Sequence, residues 1–231
     1  MLDRLAVALE RERAFVDDAS HELRTPLSLH KTELELALRY GENPAELKAS
    51  IASAIEEVDR LIQLAEDMLV VARSEQGKLA VKLERVSAAA LLEDVRVRFS
   101  ARAEQADRGL VVQSSEGPES WVEVDPLRIR QALTNMVENA LRHGAGDVTL
   151  SAQLTGDRVE LHVVDCGGGF PPAFIDGAFE RFSRADDARS RGGTGLGLAI
   201  VAAIARAHRG NAAARNPPAG GADVWLSIPQ A

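Results

Sequence analysis

Residues 15–38 read FVDDASHELRTPLSLHKTELELAL, and the spacing of their apolar side chains decides how the N-terminal part of the chain folds. At about 100° per residue, positions three and four apart fall in one sector of a helix. That sector holds Phe15, Ala19, Leu23, Leu27, His30, Leu34 and Leu38. The stretch therefore predicts a long amphipathic helix, which we extend to 3–39.

A second amphipathic stretch at 44–74 follows after a short turn. The turn, Tyr40-Gly41-Glu42-Asn43-Pro44, places a glycine after the first helix and a proline at the start of the second, which is typical of an antiparallel helical hairpin. Two helices of this length cannot bury both apolar stripes against each other alone. A second copy across a two-fold axis would cover them, so we expect a homodimer with a four-helix bundle.

His21 lies on the other side of the first helix, roughly 160° from the centre of the apolar sector. It should face water together with Thr25, and Glu22 follows it directly. A carboxylate that binds one imidazole nitrogen fixes the tautomer and leaves the other nitrogen to act as a nucleophile. Pro26 removes an N–H from the helix and should loosen the backbone after His21. Helix geometry alone does not separate such a histidine from ordinary solvated surface, whereas His30 is expected to be a partly buried structural histidine.

The pattern after about residue 77 mixes the periods of helices and strands. It predicts helices at 87–108, 126–143 and 195–208, and strands at 81–85, 110–114, 120–124, 148–154, 158–164, 211–215 and 223–228. Helices interleaved with an antiparallel or mixed sheet favour a two-layer α/β sandwich. We therefore expect a helical hairpin domain at 1–76, a linker at 77–86 and an α/β domain at 87–231.

The composition argues against several classes of protein. The chain has 231 residues and a net charge of −8, whereas binding to nucleic acid or to an acidic membrane surface needs a basic face. Cys166 is the only cysteine, so an internal disulfide is impossible. The sequence has no run of about 18 apolar residues that would span a bilayer, and its first residues form a charged amphipathic pattern unlike a signal peptide.

Two asparagines, Asn135 and Asn139, are i,i+4 neighbours on the predicted helix 126–143. Their amide oxygens suit a hydrated Mg²⁺, and Arg142 and His143 follow with donors suited to phosphates. Taken alone, this pattern is weak, because helix surfaces often carry two asparagines.

Asp165 comes at the end of a predicted strand and is followed by Gly167 and Gly169. Its carboxylate can accept a hydrogen bond from the exocyclic amine of adenine, and the glycines let backbone approach a flat ring. Cys166 is interpreted as a small filler beside that pocket, with a reactive thiol as the alternative.

A second glycine-rich segment, Gly193-Thr194-Gly195-Leu196-Gly197, leads directly into the last predicted helix. The free N–H groups and positive end of a helix suit phosphate, although such a segment can also be a simple tight turn. The sequence lacks the Walker motif. Several arginines between the two glycine-rich segments, Arg184 among them, fit a lid over a nucleotide.

Residues 20–27, SHELRTPL, resemble the phosphoacceptor box of sensor histidine kinases almost letter for letter. The resemblance implies that His21 is the phosphorylated residue and that Glu22 is its acid/base partner. It also implies that Thr25 helps to position water when the kinase acts in reverse as a phosphatase.

Residues 130–143, 163–170, 179–182 and 192–201 resemble, in this order, the N, G1, F and G2 boxes of the histidine kinase ATP-binding domain. The resemblance implies the Bergerat-type fold that this domain shares with DNA gyrase. It assigns Mg²⁺ to Asn139 and Asn135, and adenine to Asp165. It further places the nucleotide against Arg142, His143, Gly167, Gly169, Arg184, Gly193, Thr194, Gly195, Leu196 and Gly197, with Arg184 near the γ-phosphate.

The implied reaction is ATP-dependent autophosphorylation of His21, followed by transfer to an aspartate of a response regulator. An ATP-hydrolysing machine of the gyrase type would carry a glutamate in place of Asn135 and would lack the hairpin. An inactive dimeric scaffold is the other alternative, and a nucleotide-binding assay would decide it. The opening residues are similar to the exit helix of a signalling linker. We therefore expect a cytoplasmic segment of a receptor anchored in the bacterial membrane, with no membrane or nucleic-acid contact of its own.

Overall fold

The structure is a computed structural model that describes residues 2–40, 43–113, 120–184 and 194–231. For residues 2–15 and Tyr40 it describes the helix but not the side chains. The chain divides into two compact units, Met1–Leu69 and Val70–Ala231. Each unit is described by itself.

The first unit is made of two long helices, α1 (Leu2–Tyr40) and the greater part of α2 (Pro44–Glu75). The side chain of Asn43 begins α2 by accepting a hydrogen bond from the backbone N–H of Ala45 at 2.9 Å, as expected of a good N-cap residue. The predicted helical hairpin is confirmed, with each end within one residue of its predicted position.

Many apolar side chains of the two helices are exposed in the single chain. Leu38 is 83% exposed, and more than half of the surface of Leu27, Ile51, Ile55, Val58 and Ile62 is exposed. Exposed apolar side chains at helical spacing mark a surface that another chain covers. The apolar stripes are therefore incompletely buried within one copy.

The second unit is built on a five-stranded sheet in the order β2-β4-β5-β7-β6. Its strands are β2 (Leu110–Gln113), β4 (Val148–Thr155), β5 (Arg158–Val164), β6 (Asn211–Arg215) and β7 (Asp223–Pro229). Only the β2–β4 pair is parallel, so the sheet is mixed. In β5, Val159, Leu161 and Val163 are buried at alternate positions, which is the period of a strand whose one face is covered.

A small two-stranded sheet lies beside it, with β1 (Glu84–Ser87) antiparallel to β3 (Trp121–Val124). The sequence placed the first of these strands at 81–85, and that position is wrong by several residues. The strand begins at Glu84 because its register pairs Glu84 with Val124 and Ser87 with Trp121. Ser87 then caps the next helix by accepting a hydrogen bond from the N–H of Ala90.

The layer against the large sheet consists of the helices α3 (Ala88–Gln105), α4 (Pro126–His143) and α6 (Gly197–Ala207). The fully buried side chains of this layer include Leu91, Leu92, Ile129, Leu133, Met136, Ile200 and Ile204. A four-residue helix, α5 (Pro172–Ile175), lies between the two glycine-rich segments and was not predicted. The predicted two-layer α/β sandwich is confirmed.

A buried histidine joins the end of α6 to the start of α4. The carboxylate of Asp125 caps α4 by accepting from the N–H groups of Leu127 and Arg128. His208 Nε2 accepts from the N–H of Asp125 at 3.0 Å, and Nδ1 bonds the carbonyl of Ile204 at 2.8 Å. Burial lowers the pKa of His208, because an apolar surrounding disfavours the charged imidazolium. This contact helps to set where α4, which carries the two asparagines, begins.

No helix in the described ranges combines the length and the apolar character of a bilayer-spanning segment.

Candidate functional site

The second unit contains a cavity of about 650 Å³ that gathers residues from three distant segments of the chain. Its lining includes the predicted residues Asn135, Asn139, Arg142, His143, Asp165, Gly167, Gly169, Arg184, Thr194, Gly195 and Gly197. A cavity of this size suits a small organic ligand. The structure therefore brings nearly all the residues predicted for a nucleotide site together.

Two predicted residues of the second glycine-rich segment stand apart. The side chain of Leu196 is fully buried and does not line the cavity, so any contact with a ligand would come from its backbone. Gly193 lies outside the described residues.

The two asparagines lie on the exposed side of an amphipathic helix. The buried face of α4 carries Ile129, Leu133 and Met136, and this leaves Asn135 and Asn139 half-buried along the cavity. Their i,i+4 spacing places them one turn apart on the same face. Their amide oxygens are the kind of donor that Mg²⁺ accepts beside water and phosphate, so the side chains fit a hydrated magnesium ion.

Asp165 is the buried acid of the site and is only 6% exposed. It directly follows β5, its backbone N–H donates to the carbonyl of Ala222 at 3.0 Å, and its Oδ1 accepts from the N–H of Gly167 at 2.7 Å. Burial raises the pKa of the carboxyl, while backbone N–H groups and the charge of Arg108 act in the opposite direction. The carboxylate is thus a fixed hydrogen-bond acceptor in the wall of the cavity.

Glycines surround this carboxylate because no larger residue fits. A side chain at Gly144 would overlap the carboxyl group of Asp165, and one at Gly221 would overlap its carbonyl oxygen. A Cβ at Gly167 would lie 2.9 Å from the Cα of Gly144. Gly144 was not predicted as a site residue, although a glycine directly after a helix, followed by Gly146, was a usable signal.

The glycines of the second segment position the start of α6. Gly195 has a φ of +69°, and a Cβ there would lie 2.7 Å from the carbonyl carbon of Phe182, so the two segments touch through backbone. Leu196 occupies the N-cap position of α6, and its side chain makes no capping hydrogen bond. The N-terminal amides of such a helix are available to an anion.

Two aromatic residues that were not predicted as site residues also line the cavity. The rings of Phe170 and Phe174 stack with centroids 6.1 Å apart. Asn216, at the end of β6, holds Phe170 by accepting from its N–H and donating to its carbonyl, both at 2.8 Å. These contacts join segments that are 46 residues apart in the sequence, and so the local pattern could not reveal them.

Cys166 is not the pocket filler that the sequence suggested. Its side chain is exposed, and its thiol points to the carbonyl oxygen of Asp147 at 3.7 Å. It does not line the cavity. The alternating directions of successive side chains explain the difference, since Asp165 takes the inward position.

His21, in the first unit, faces solvent as its position on the helix predicted. His21 and Thr25 are exposed and Glu22 is half-buried. α1 continues through Pro26, and the hydroxyl of Thr25 donates to the carbonyl of His21 at 3.2 Å. The imidazole of His21 is therefore accessible from solvent.

His30 differs from His21 in the way that the sequence predicted. Its side chain is 20% exposed, with Nδ1 2.9 Å from Glu33 and Nε2 3.6 Å from Glu57. Because Glu57 belongs to α2, the side chain of His30 faces the other helix of the hairpin.

Two family models match the chain. Residues 124–231 match the histidine kinase-, DNA gyrase B-, and HSP90-like ATPases, and residues 11–77 match the His Kinase A (phospho-acceptor) domain. A probable sensor histidine kinase of Mycobacterium tuberculosis is 37% identical over 200 residues, which is 87% of this chain and 51% of the relative.

Solved structures agree with these matches. The histidine kinase AdeS of Acinetobacter baumannii has a TM-score of 0.76 and 27% identity, over 90% of this chain and 97% of that one. Full-length ShkA in complex with AMPPNP has a TM-score of 0.72 and 32% identity, over 92% of this chain and 44% of that one. The chain belongs to the sensor histidine kinases of two-component systems. It spans about half the length of the curated relatives that it matches.

Proposed function

We propose that the protein binds ATP in the cavity of the second unit and transfers the γ-phosphoryl group to His21. One observation carries the proposal: the cavity gathers Asn139, Asp165 and the start of α6, while the same chain exposes His21 beside Glu22. In the reaction, one imidazole nitrogen forms a bond to the γ-phosphorus as the bond to the bridging oxygen breaks and ADP leaves.

The roles in the cavity follow from its chemistry. Asp165 accepts a hydrogen bond from the adenine amine, and Gly167 and Gly169 let the backbone lie against the ring. The phosphates approach the N-terminus of α6, where backbone amides and the helix dipole favour negative charge. Arg142, His143, Arg184 and Thr194 add donors around the phosphates. That the related ShkA was crystallised with AMPPNP supports a nucleotide in this fold.

Asn139, with help from Asn135, would hold Mg²⁺ through its amide oxygen. When bound, Mg²⁺ neutralises charge on the phosphates. Glu22 hydrogen-bonds the imidazole of His21 and keeps the attacking nitrogen unprotonated.

The partners follow from the same proposal. A second copy of the chain covers the exposed apolar stripes of α1 and α2, giving a four-helix bundle. A response regulator then collects the phosphoryl group on an aspartate. Thr25, which is exposed one turn after His21, would position water if the protein also dephosphorylates that regulator. Anchoring of the full-length protein in a membrane stays a prediction.

Radiolabelling tests the proposal. The His21→Gln variant should incorporate no label from ATP labelled at the γ-phosphate, while its affinity for nucleotide is kept. His30→Gln is the matched control, because it changes a histidine of the same helix that faces α2, and it should be labelled like the wild type. Label retained by His21→Gln would overturn the assignment.

A further inference from the structure

Arg108 contacts the wall of the candidate nucleotide site without lining the cavity. It lies in the connection between α3 and β2. Its Nη1 donates to the carbonyls of Ala140 at 2.9 Å and Leu141 at 3.1 Å, and its Nε donates to the carbonyl of Gly146. One guanidinium group therefore joins the last turn of α4 to the loop that follows it.

That loop shapes the surroundings of Asp165. Gly144, which caps α4 through its N–H and the carbonyl of Ala140, leaves no room for a side chain against the Asp165 carboxyl group. The carbonyl of Ala145 accepts from the N–H of Cys166 at 2.9 Å, directly after Asp165. A shift of residues 144–146 would therefore move the carboxylate or open space beside it.

We propose that Arg108 is a positioning residue of the nucleotide site, which holds the wall at residues 140–146 and thereby keeps the Asp165 carboxylate in place. This inference rests on the nucleotide-binding function proposed above. Arginine suits the task because its planar fork can reach several carbonyl oxygens at fixed angles, which the single ammonium group of lysine cannot do.

Arg108 is near enough for its charge to act on the Asp165 carboxyl group. Its Nη2 is buried without a hydrogen-bond partner among the residues that the structure describes. The nearby negative groups include the C-terminal carbonyls of α4, which a cation stabilises, the Asp165 carboxylate, and the Asp147 carboxylate, which accepts from the N–H of Gly109 at 2.7 Å. Burial raises the pKa of Asp165, and the Arg108 charge is among the influences that lower it.

Loss of Arg108 should therefore extend the protonated form of Asp165 to higher pH. A protonated carboxyl is a weaker acceptor for the adenine amine. The other ionisable groups around the cavity and its loop, which remain in every variant, are Glu138, Arg142, His143, Asp147, Cys166 and Arg184.

Calorimetric titration of the full chain with Mg-ADP between pH 5.5 and 8.5 tests the proposal. The variants are Arg108→Gln, Arg108→Lys and, as matched control, Arg98→Gln on the exposed face of α3. Arg108→Gln should bind about tenfold more weakly at pH 8, because charged hydrogen bonds to three carbonyls are lost. The factor should grow as the pH falls, whereas a purely structural defect lowers affinity by the same factor at every pH.

Arg108→Lys separates the two contributions. It keeps the charge, so its pH profile should follow the wild type, while its affinity should fall between those of the wild type and Arg108→Gln. An Arg108→Gln protein with wild-type affinity across the pH range overturns the inference. If Arg108→Gln does not fold, the Arg108→Lys variant decides. Wild-type affinity in Arg108→Lys would overturn the inference that the guanidinium group is needed to hold the three carbonyls. A wild-type protein that binds no adenine nucleotide would refute the proposed function itself, and the Arg108 inference with it.

Discussion

Asp165 presents its carboxyl group to several backbone N–H groups, those of Gly167, Ala222 and Ala145. Its Oδ1 accepts from the N–H of Gly167 at 2.7 Å, so this side of the carboxyl group must be an oxygen. An amide in its place would have to turn its oxygen toward Gly167 and its NH₂ toward the ligand. The adenine amine would then meet a donor where it needs an acceptor.

Asp165→Asn should therefore weaken ATP binding by about 100-fold, since a buried donor is left facing another donor. The affinity for a nucleotide with a 6-oxo purine, such as ITP, should fall much less or rise, because the purine oxygen can accept a hydrogen bond from the new NH₂ group. Competition between ATP and ITP for binding to the variant measures this change of preference. Asp157→Asn, in the turn between β4 and β5, is the control and should keep the wild-type preference. A variant that still prefers ATP as the wild type does would contradict the role of Asp165.

At the scale of residues, candidate site residues could be predicted where their type and spacing indicate the chemistry. Asn135, Asn139 and Asp165 were predicted from their own segments and do line one cavity. Arg108 and Asn216 could not be predicted, because they act through backbone carbonyls and amides of segments more than thirty residues away. Cys166 was misplaced because successive side chains alternate in direction, and Asp165 takes the inward position.

At the scale of the elements, α4 depends on contacts at both of its ends. Its N-cap, Asp125, is tied to the end of α6 by His208, and its C-terminal carbonyls are tied to Arg108. For Asp125, burial alone would raise the pKa, but the N–H groups of Lys82, Arg128 and Leu127 outweigh it and lower the pKa. The Asp125 carboxylate therefore stays charged around neutral pH. In this contact, the protonation of His208 is what changes with pH.

The pKa of His208 is lowered by burial from its usual 6.5. The unfolded chain then takes up a proton more readily than the folded protein, so stability should be lost as the pH falls through about 6.5. Protonation would also replace the acceptor that Nε2 offers to Asp125 with a donor. His208→Gln keeps an acceptor but cannot titrate, so its melting temperature should change less between pH 7.5 and pH 5.5 than that of the wild type. If calorimetry shows that the melting temperatures of the two proteins change equally with pH, this role of His208 is contradicted.

The first and last residues of some helices and strands could be predicted from the sequence, and those of others could not. α4, β5 and β6 begin and end where predicted, because Asp125 and Pro126 mark one start and tight turns mark the others. β1 was misplaced because its register depends on pairing with β3, which the local pattern does not contain. Long-range pairing, and not local preference, decides such a short strand.

At the scale of the whole molecule, the first unit leaves apolar surface that the second copy of a bundle would cover. Sedimentation velocity should therefore give a dimer at micromolar concentration. Leu38→Glu, which puts a charge on a side chain that is 83% exposed in one chain, should shift the equilibrium toward monomer if that side chain lies in the interface. The exposed Leu154→Glu, in the sheet unit, is the control. A wild-type monomer would contradict the proposed bundle.

The proposed function depends most on where the phosphoryl group of ATP goes. Mapping the modified peptide by mass spectrometry, after incubation with Mg-ATP and under alkaline conditions that preserve a phosphorus–nitrogen bond, tests this directly. The account predicts one phosphoryl group on the imidazole of His21, and none when the same experiment uses Asn139→Ala. A phosphoryl group on any other residue, or label on His21 that persists in Asn139→Ala, would contradict it.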